Sequence, residues 1–256
     1  MNILFTICGR AGSKGVKNKN VSDFCGCPLP YYTLAAILLY QQRYLGRKDQ
    51  SAIALSTDSE PLKELICAAD PEVVFIDRAP ELAGDRVRKI DVIRDAAKRV
   101  EAAKGTAFDM VVDLDITSPL RTVEDLHNVI EKRTQADADV VYTVVESRRN
   151  PYFNMVMKHG SYYSTVLESD FASRQQAPAI YDMNASIYAY SRDFINDTEP
   201  LFKKADIVLM KDTYVLDIDH PEDLTYMQLI AEHLYAADPG YSEIQQRARD
   251  CAGGKA

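Results

Sequence analysis

The sequence lacks the features that would assign it to a membrane, to nucleic acid or to the secreted proteins. No run approaches the roughly eighteen apolar residues of a membrane-spanning helix, so we expect no membrane insertion. The chain carries 38 Asp+Glu against 30 Lys+Arg, and its net charge of −8 argues against the broad basic face of nucleic-acid-binding proteins. The first apolar run is too short for a signal peptide and no charged region precedes it. We therefore expect a cytoplasmic protein.

Patterns of metal-binding and disulfide-forming residues are also lacking. The four histidines show no ligand or catalytic grouping, and the five cysteines are an odd number without secretory context. Such cysteines indicate reduced thiols. Cys25 and Cys27 have no His or Cys partners at zinc-ligand spacing, so packing explains them better than a metal does.

Apolar runs alternate with amphipathic stretches along the 256 residues. This alternation predicts βα units and a mainly parallel sheet in an α/β protein. With no internal repeat or linker, we expect one domain over 1–256, whose ligands bind beyond the carboxyl ends of the strands. The expected strands are 52–56, 72–76, 109–115 and 139–145, and the expected helices are 31–44, 61–69, 88–103 and 123–134.

The segment after the first apolar run interleaves cations with glycines. Glycines allow backbone amides to approach a ligand closely, and amides at a strand end cradle phosphate oxygens. The spacing excludes a Walker A loop, because Lys14 precedes glycine instead of Ser or Thr, and it does not fit the dinucleotide fingerprint. A solvated turn is the alternative, but we favour a triphosphate-binding loop. Its members are Gly9, Arg10, Gly12, Lys14, Gly15, Lys17 and Lys19.

Two pairs of aspartates stand near predicted ligand-binding edges. Asp113 and Asp115 share one face of a strand end, where buried carboxylates should meet a cation, a metal, a ligand or loop amides. Asp217 and Asp219 share a face at another strand end, just before a helix that starts at about Pro221. Helix capping also explains Asp219, but it does not explain Asp217. This second pair therefore predicts a Mg²⁺ or Mn²⁺ site.

Residues 148–190 differ in composition from the rest of the chain. Of the 15 Tyr and 8 Phe residues in the chain, eight lie in this stretch, and its apolar residues show little helical period. The stretch 158–161 predicts a hairpin turn between two short strands. Concentrated aromatic residues indicate an interface or local core packing.

A series of spaced motifs, in order from about residue 3 to 225, resembles the CMP-sialic acid synthetases, also called acylneuraminate cytidylyltransferases. Their loop is similar to Arg10-x-Gly12-Ser13-Lys14-Gly15-x-x-x-Lys19-Asn20. The other similar stretches are 56–59, 82–85 followed by 91–92, 117–121, 174–188 and 215–224. Without the resemblance, 56–59 reads as a helix cap and Arg78 as a surface residue.

Two departures refine the resemblance. The family usually has Gln where this chain has Asp115, and often Gly where it has Ala185. Asp115 and the segment 148–154 look more like the branch that activates legionaminic acid than like the sialic acid or Kdo branches.

The resemblance implies a Rossmann-like nucleotidyltransferase fold, a GT-A-like three-layer sandwich with a small dimerisation insert within 148–190. It implies a homodimer in which each subunit helps to close its partner's sugar site. The implied reaction joins CTP to a nonulosonic acid, giving the CMP-sugar and diphosphate.

The resemblance also implies residue roles. The nucleotide would contact Arg10, Gly12, Ser13, Lys14, Lys19, Asn20 and Arg78. The sugar would contact Asp115, Thr117, Ser118, Arg174, Gln175, Tyr181 and Asn184. Asp217 and Asp219 would hold the metal, and catalysis would depend on Arg10, Lys19 and Asp217.

Three alternatives stay open on the sequence alone. One is a nucleotidyltransferase that acts on another sugar acid or a sugar phosphate, and a second is a non-catalytic nucleotide-binding subunit. The third is a glycosyltransferase whose metal lies on Asp113 and Asp115. The identity of the nonulosonic acid, the number of metal ions and the partner of Asp115 also stay open.

Overall fold

The computed structural model describes residues 1–12, 15–198, 201–214 and 217–253. Its strands are β1 Asn2–Cys8, β2 Asp23–Phe24, β3 Cys27–Pro28, β4 Gln50–Thr57, β5 Val74–Asp77, β6 Met110–Leu114, β7 Val140–Glu146, β8 Val156–His159, β9 Tyr162–Thr165, β10 Tyr181–Ser191 and β11 Ala205–Leu209. Its α-helices are α1 Pro30–Tyr44, α2 Glu60–Ala69, α3 Lys89–Lys104, α4 Val123–Gln135, α5 Arg192–Asn196, α6 Pro221–Ala237 and α7 Pro239–Gly253.

Seven strands form one sheet in the order β11-β7-β10-β6-β1-β4-β5. Only β10 runs antiparallel to its neighbours within this sheet. Alternate β1 residues face opposite sides, so Ile3 and Phe5 pack under α1, α2, α4, α6 and α7 while Leu4 packs against α3 and α5. The predicted mainly parallel, three-layer α/β fold is confirmed.

The predicted helices and strands are present, with ends that differ by one or two residues. Four strands were not predicted, namely the two-residue strands β2 and β3 and the strands β10 and β11 of the main sheet. In β10 the pairing with β7 stops at Met183 and resumes at Tyr188, and Ala185 has a φ of 53° within this bulge. A bulge breaks the alternation that marks a strand in sequence. The edge strand β11 is half-exposed and short, and the tail helix α7 is longer than predicted.

The strand-end placement of Asp113 and Asp115 holds to within one residue, whereas that of Asp217 and Asp219 needs correction. Strand β6 ends at Leu114, one residue before Asp115, and residues 217–220 lie outside any strand. Asp219 does not cap α6, since the N-cap is His220. The carboxylate of Asp223 accepts hydrogen bonds from the backbone N of both Asp219 and His220. The side chain of Asp219 takes no part in these bonds and is 69% exposed.

The segment that follows β7 forms the predicted hairpin of β8 and β9, whose turn includes Gly160 at a φ of 57°. Exposed apolar side chains lie on both of its faces, with Val156 and Tyr163 on one face and Tyr162 on the other. In the part of the chain that the structure describes, no helix is long and apolar enough to cross a membrane.

Candidate active site

A cleft of about 410 Å³ opens at the carboxyl ends of the central strands. The loop after β1 forms one wall and residues 82–92 form another. The segments after β6 and before α6 complete it. The predicted site residues that line it are Arg10, Lys19, Asn20, Arg78, Asp115, Thr117, Asp217 and Asp219.

The loop after β1 is held by hydrogen bonds to neighbouring strand ends. The backbone N of Gly9 donates to the Ser56 carbonyl at 3.2 Å, and the backbone N of Ala11 donates to Asp58 Oδ1 at 2.7 Å. Ser59, and not Asp58, caps α2. Asp58 therefore shapes the loop. Gly12 has a φ of 74°, a conformation that favours glycine, whereas Ser13 and Lys14 lie outside the described residues.

Gly15 joins this loop to the second aspartate pair. A Cβ at Gly15 would lie 1.9 Å from the carbonyl oxygen of Asp219, so only glycine permits this approach. Lys19 extends the same contact. Its Nζ lies 3.3 Å from Asp219 Oδ1 and 4.0 Å from Asp217 Oδ1 and also donates to the Ile218 carbonyl. Two motifs about 200 residues apart thus form one surface.

Two arginines face the cleft from opposite sides. Arg10 forms an ion pair with Asp85 in the wall that residues 82–92 provide. Arg78 is only 7% exposed and donates to the Ser56 carbonyl, so its alternative assignment as a surface residue is wrong. Both guanidinium groups are therefore held near the phosphate loop.

The first aspartate pair meets a cation, one of the four partners that the sequence left open. The ammonium of Lys89 lies 2.8 Å from Asp113 and 2.5 Å from Asp115. Burial is the largest single influence on Asp115 and raises its pKa. The charge of Lys89, together with hydrogen bonds from Lys89 and Thr117, outweighs burial and lowers that pKa to about 2. Burial likewise disfavours the charged Lys89, yet Asp113 and Asp115 outweigh it and raise the Lys89 pKa well above its ordinary value.

Asp217 and Asp219, the second pair, provide the kind of oxygen ligand that a hard divalent cation binds. Burial, followed by the nearby charge of Asp115, raises the pKa of Asp217. Within the described residues, no group of three or more His, Cys, Asp or Glu side chains is arranged to hold a metal. Mg²⁺ needs only one or two carboxylates when waters and substrate phosphates complete its shell. Asp217 and Asp219 therefore fit such an ion, whose charge would also relieve the repulsion at Asp217.

The loop after β6 is fixed by a fully buried arginine. Arg121 donates from Nε to Ser186 Oγ at 3.0 Å, from Nη1 to Thr33 Oγ1, and from Nη2 to the carbonyls of Asp115 and Ser118. Thr117 lines the cleft and donates to Asp115, whereas Ser118 is buried. The helix that follows carries the predicted capping box.

Besides Ser118, four predicted sugar ligands lie outside the lining of this cleft. Arg174 and Gln175 are exposed in a short 3₁₀ helix, and Tyr181 is 40% exposed. Asn184 is buried, accepts a hydrogen bond from Thr143 Oγ1 at 2.6 Å and directs its amide nitrogen at Met210. Their contacts with a sugar stay predictions.

Comparison with known proteins agrees with this geometry. A family model described as "Cytidylyltransferase" matches residues 4–244. The chain belongs to the cytidylyltransferase family. It is 36% identical over 229 residues to "CMP-N,N'-diacetyllegionaminic acid synthase" of Campylobacter jejuni, covering 89% of this chain and 94% of that one. It is 35% identical, with the same coverage, to "Post-translational flagellin modification protein B" of Campylobacter coli.

Solved structures show the same fold for this cytidylyltransferase. A CMP:2-keto-3-deoxy-manno-octonic acid synthetase complexed with CTP superposes with a TM-score of 0.60 at 14% identity, covering 91% of this chain and 100% of that chain. The 4-diphosphocytidyl-2C-methyl-D-erythritol synthase of Anaerococcus prevotii gives 0.57 at 14% identity over 90% and 96%.

Sequence reasoning assigned no role to three side chains of the site. Lys89, Asp85 and Arg121 each act through partners far away in sequence. The similarity of 82–85 and 91–92 to the family pointed to the wall that holds Lys89 but not to the lysine itself. A signal for Arg121 existed, because it ends the similar stretch 117–121.

Proposed function

We propose that this cytidylyltransferase transfers CMP from CTP to a nonulosonic acid of the legionaminic type, with diphosphate as the leaving group. The observation that carries the proposal is the contact of the cationic loop with the Asp217–Asp219 segment through Gly15 and Lys19. This contact places phosphate-binding cations beside carboxylates of metal-binding type. The similarity to a relative named for the diacetyllegionaminate product supports the acceptor class.

In the proposed reaction the anomeric hydroxyl attacks the α-phosphorus in line with the departing diphosphate. Such transfer depends mainly on positioning and on neutralising charge at the transferring group. Arg10, Lys19 and Arg78 would orient the triphosphate. The ion pairs of Arg10 with Asp85 and of Lys19 with Asp219 hold these cations in place until phosphate oxygens compete for them. Gly12, Ser13, Lys14 and Asn20 complete the proposed phosphate loop.

Asp217 and Asp219 would hold Mg²⁺ or Mn²⁺, which supplies positive charge to the phosphates. The protein's own part is to fix the two carboxylates. The backbone N of Ile218 donates to Asp217 Oδ1 at 2.7 Å, and Asp223 fixes the backbone at Asp219. Both aspartates line the cleft.

The acceptor would bind beside Asp115, Thr117 and Ser118. We assign Arg174, Gln175, Tyr181 and Asn184 to the same subsite in a homodimer, where the insert of one subunit closes the cleft of its partner. The exposed apolar face of β8 and β9 supports this assembly, because a patch of this kind is typical of an interface. The five free thiols suit a reducing compartment, so we place the enzyme in the cytoplasm.

The test is diphosphate release from CTP and Mg²⁺ with N-acetylneuraminic, legionaminic and pseudaminic acid in parallel. We expect release with legionaminic acid above all, and none with CTP alone. Release with another of the three acids would keep the reaction and change the acceptor. No release with any acceptor, by protein that binds CTP, would overturn the assignment.

A further inference from the structure

A lysine closes the gap between the two carboxylates at the end of β6. Thr6 Oγ1 donates to Asp113 Oδ1 at 2.7 Å, and Thr117 donates to Asp115 Oδ1 from its backbone N and its hydroxyl. The second oxygen of each aspartate faces one point, and the Lys89 ammonium lies there, 2.8 and 2.5 Å from them. We call this arrangement the Lys89 site.

The contact with Asp113 is ionic in character. Asp113 is 0% exposed, and its Oδ2 has no hydrogen-bond partner of acceptable geometry. A buried carboxylate oxygen aimed at a cation and otherwise unpartnered is a cation-binding feature. The lysine side chain that satisfies it is 38% exposed and lines the cleft.

Stability alone does not account for this lysine. Removing a carboxylate such as Asp113 from water carries a desolvation penalty that an ion pair often fails to recover. Lys89 is also the first residue of α3, where the positive end of the helix disfavours a cation. A buried carboxylate paired with a lysine at a helix start is costly compared with an apolar arrangement, which indicates a functional requirement.

Converging carboxylate oxygens in a polar cleft are also the ligands of a hard divalent ion. A lysine ammonium at the same point supplies one positive charge that, unlike a bound metal ion, cannot leave the protein. We propose that Lys89 is a tethered cation that stands in for a divalent ion between Asp113 and Asp115. The Asp217–Asp219 pair is then the single metal site of the cleft.

This assignment fixes the role of Asp115. Both of its oxygens have protein partners, Lys89 on one and Thr117 on the other. Asp115 therefore orients Thr117 and faces the sugar substrate as an ionised carboxylate that can accept hydrogen bonds. It does not ligate a metal ion. This role in turnover rests on the proposed function, whereas the exclusion of a metal ion from the Lys89 site does not.

The experiment is Mn²⁺ titration of the nucleotide-free protein, followed by the electron paramagnetic resonance signal of free Mn²⁺. Lys89→Ala vacates the site, and we expect one more bound Mn²⁺ per chain than in the wild type. Asp115→Asn added to Lys89→Ala should remove that gain. The matched control is Lys132→Ala, because Lys132 is 39% exposed and pairs with one carboxylate, Asp206, at 2.8 Å. We expect no gain there.

Thermal melting keeps the test decisive if Lys89→Ala is unstable. Mn²⁺ should raise the melting temperature of that variant more than it raises that of the wild type, because an ion that binds only the folded state stabilises it. Lys89→Met, which keeps the bulk of the side chain, gives a second folded variant. No additional Mn²⁺ in folded Lys89→Ala or Lys89→Met, or a gain that survives Asp115→Asn, would overturn the proposal. Diphosphate release tests the proposed function separately, so the two can fail independently.

Discussion

The charged side chains of the cleft have partners within the chain, whereas the apolar side chains of the β8–β9 hairpin are exposed to solvent. In the cleft, Arg10, Lys19 and Lys89 each face a carboxylate of the same chain. In the hairpin, Val156 and Tyr163 are each 64% exposed with their apolar surface toward solvent. The cleft is therefore organised by contacts within one chain, whereas the hairpin leaves apolar side chains exposed, which is the surface that the proposed homodimer would cover.

This difference separates two kinds of residue in the proposed enzyme. Substitutions in the cleft should change nucleotide chemistry directly. Substitutions in the hairpin should act only through assembly. The following variants test that separation, from the largest expected effect to the smallest.

Asp217→Asn should give the largest effect. The amide can still accept the backbone hydrogen bond of Ile218, so the fold is kept while the charge is lost. Losing one electrostatic contact of this kind costs about 3–4 kcal/mol in the barrier, which is roughly 10²–10³-fold in kcat. Diphosphate release and a thermal melt measure the two properties. Asp206→Asn, on an edge strand far along the sheet, is the control, and near-normal turnover by Asp217→Asn would refute the metal assignment.

Gly15→Ala should weaken CTP binding through sterics alone. The added Cβ would lie 1.9 Å from the Asp219 carbonyl, so the loop and the 217–219 segment must separate. Overpacking of this kind costs about 1–3 kcal/mol, and we expect KM for CTP to rise about tenfold. Gly105→Ala is the control because the space around Gly105 is open; its constraint is a left-handed φ of 62° and not a close contact like that of Gly15. An unchanged KM in Gly15→Ala would mean that the loop contact does not shape the nucleotide site.

Charging the hairpin should change assembly and leave CTP binding intact. Val156→Lys combined with Tyr163→Lys places two cations on the exposed apolar face, and we expect a monomer in analytical ultracentrifugation. KM for the sugar should rise while KM for CTP stays constant. Leu229→Lys, at a residue 61% exposed on α6, should leave the dimer intact. A dimer that survives the double substitution would move the interface elsewhere.

Much of the fold could be predicted because it depends on local patterns. The amphipathic period gave α3 and α4, and the capping box at Thr122 and Asp125 marked a helix start within the sequence itself. The site was predicted less completely. Lys89 meets Asp113 only because the sheet brings α3 over β6, and no local spacing encodes that meeting.

The bulge in β10 is another feature that local sequence spacing does not encode, and it leads to the prediction with the smallest expected effect. Ala185 adopts a φ of 53°, a left-handed conformation that costs a residue with a Cβ about 1–2 kcal/mol. The bulge places the Ser186 carbonyl where it accepts a hydrogen bond from the Asp115 backbone at 3.1 Å. The bulge at Ala185 therefore supports the loop after β6 that carries Asp115. The left-handed conformation at residue 185 explains why the related family often has glycine there.

Ala185→Gly should thus stabilise the protein, although only slightly. Relief of the strain outweighs the extra conformational entropy of glycine in the unfolded chain, which is about 0.4–1 kcal/mol. We expect the free energy of unfolding to rise by about 0.5 kcal/mol in urea denaturation. The control is Ala189→Gly in the regular, buried part of the same strand, where glycine should destabilise by about 1 kcal/mol. If both substitutions destabilised equally, the bulge would not impose a left-handed residue at 185, and the geometry assigned to the loop at Asp115 would need revision.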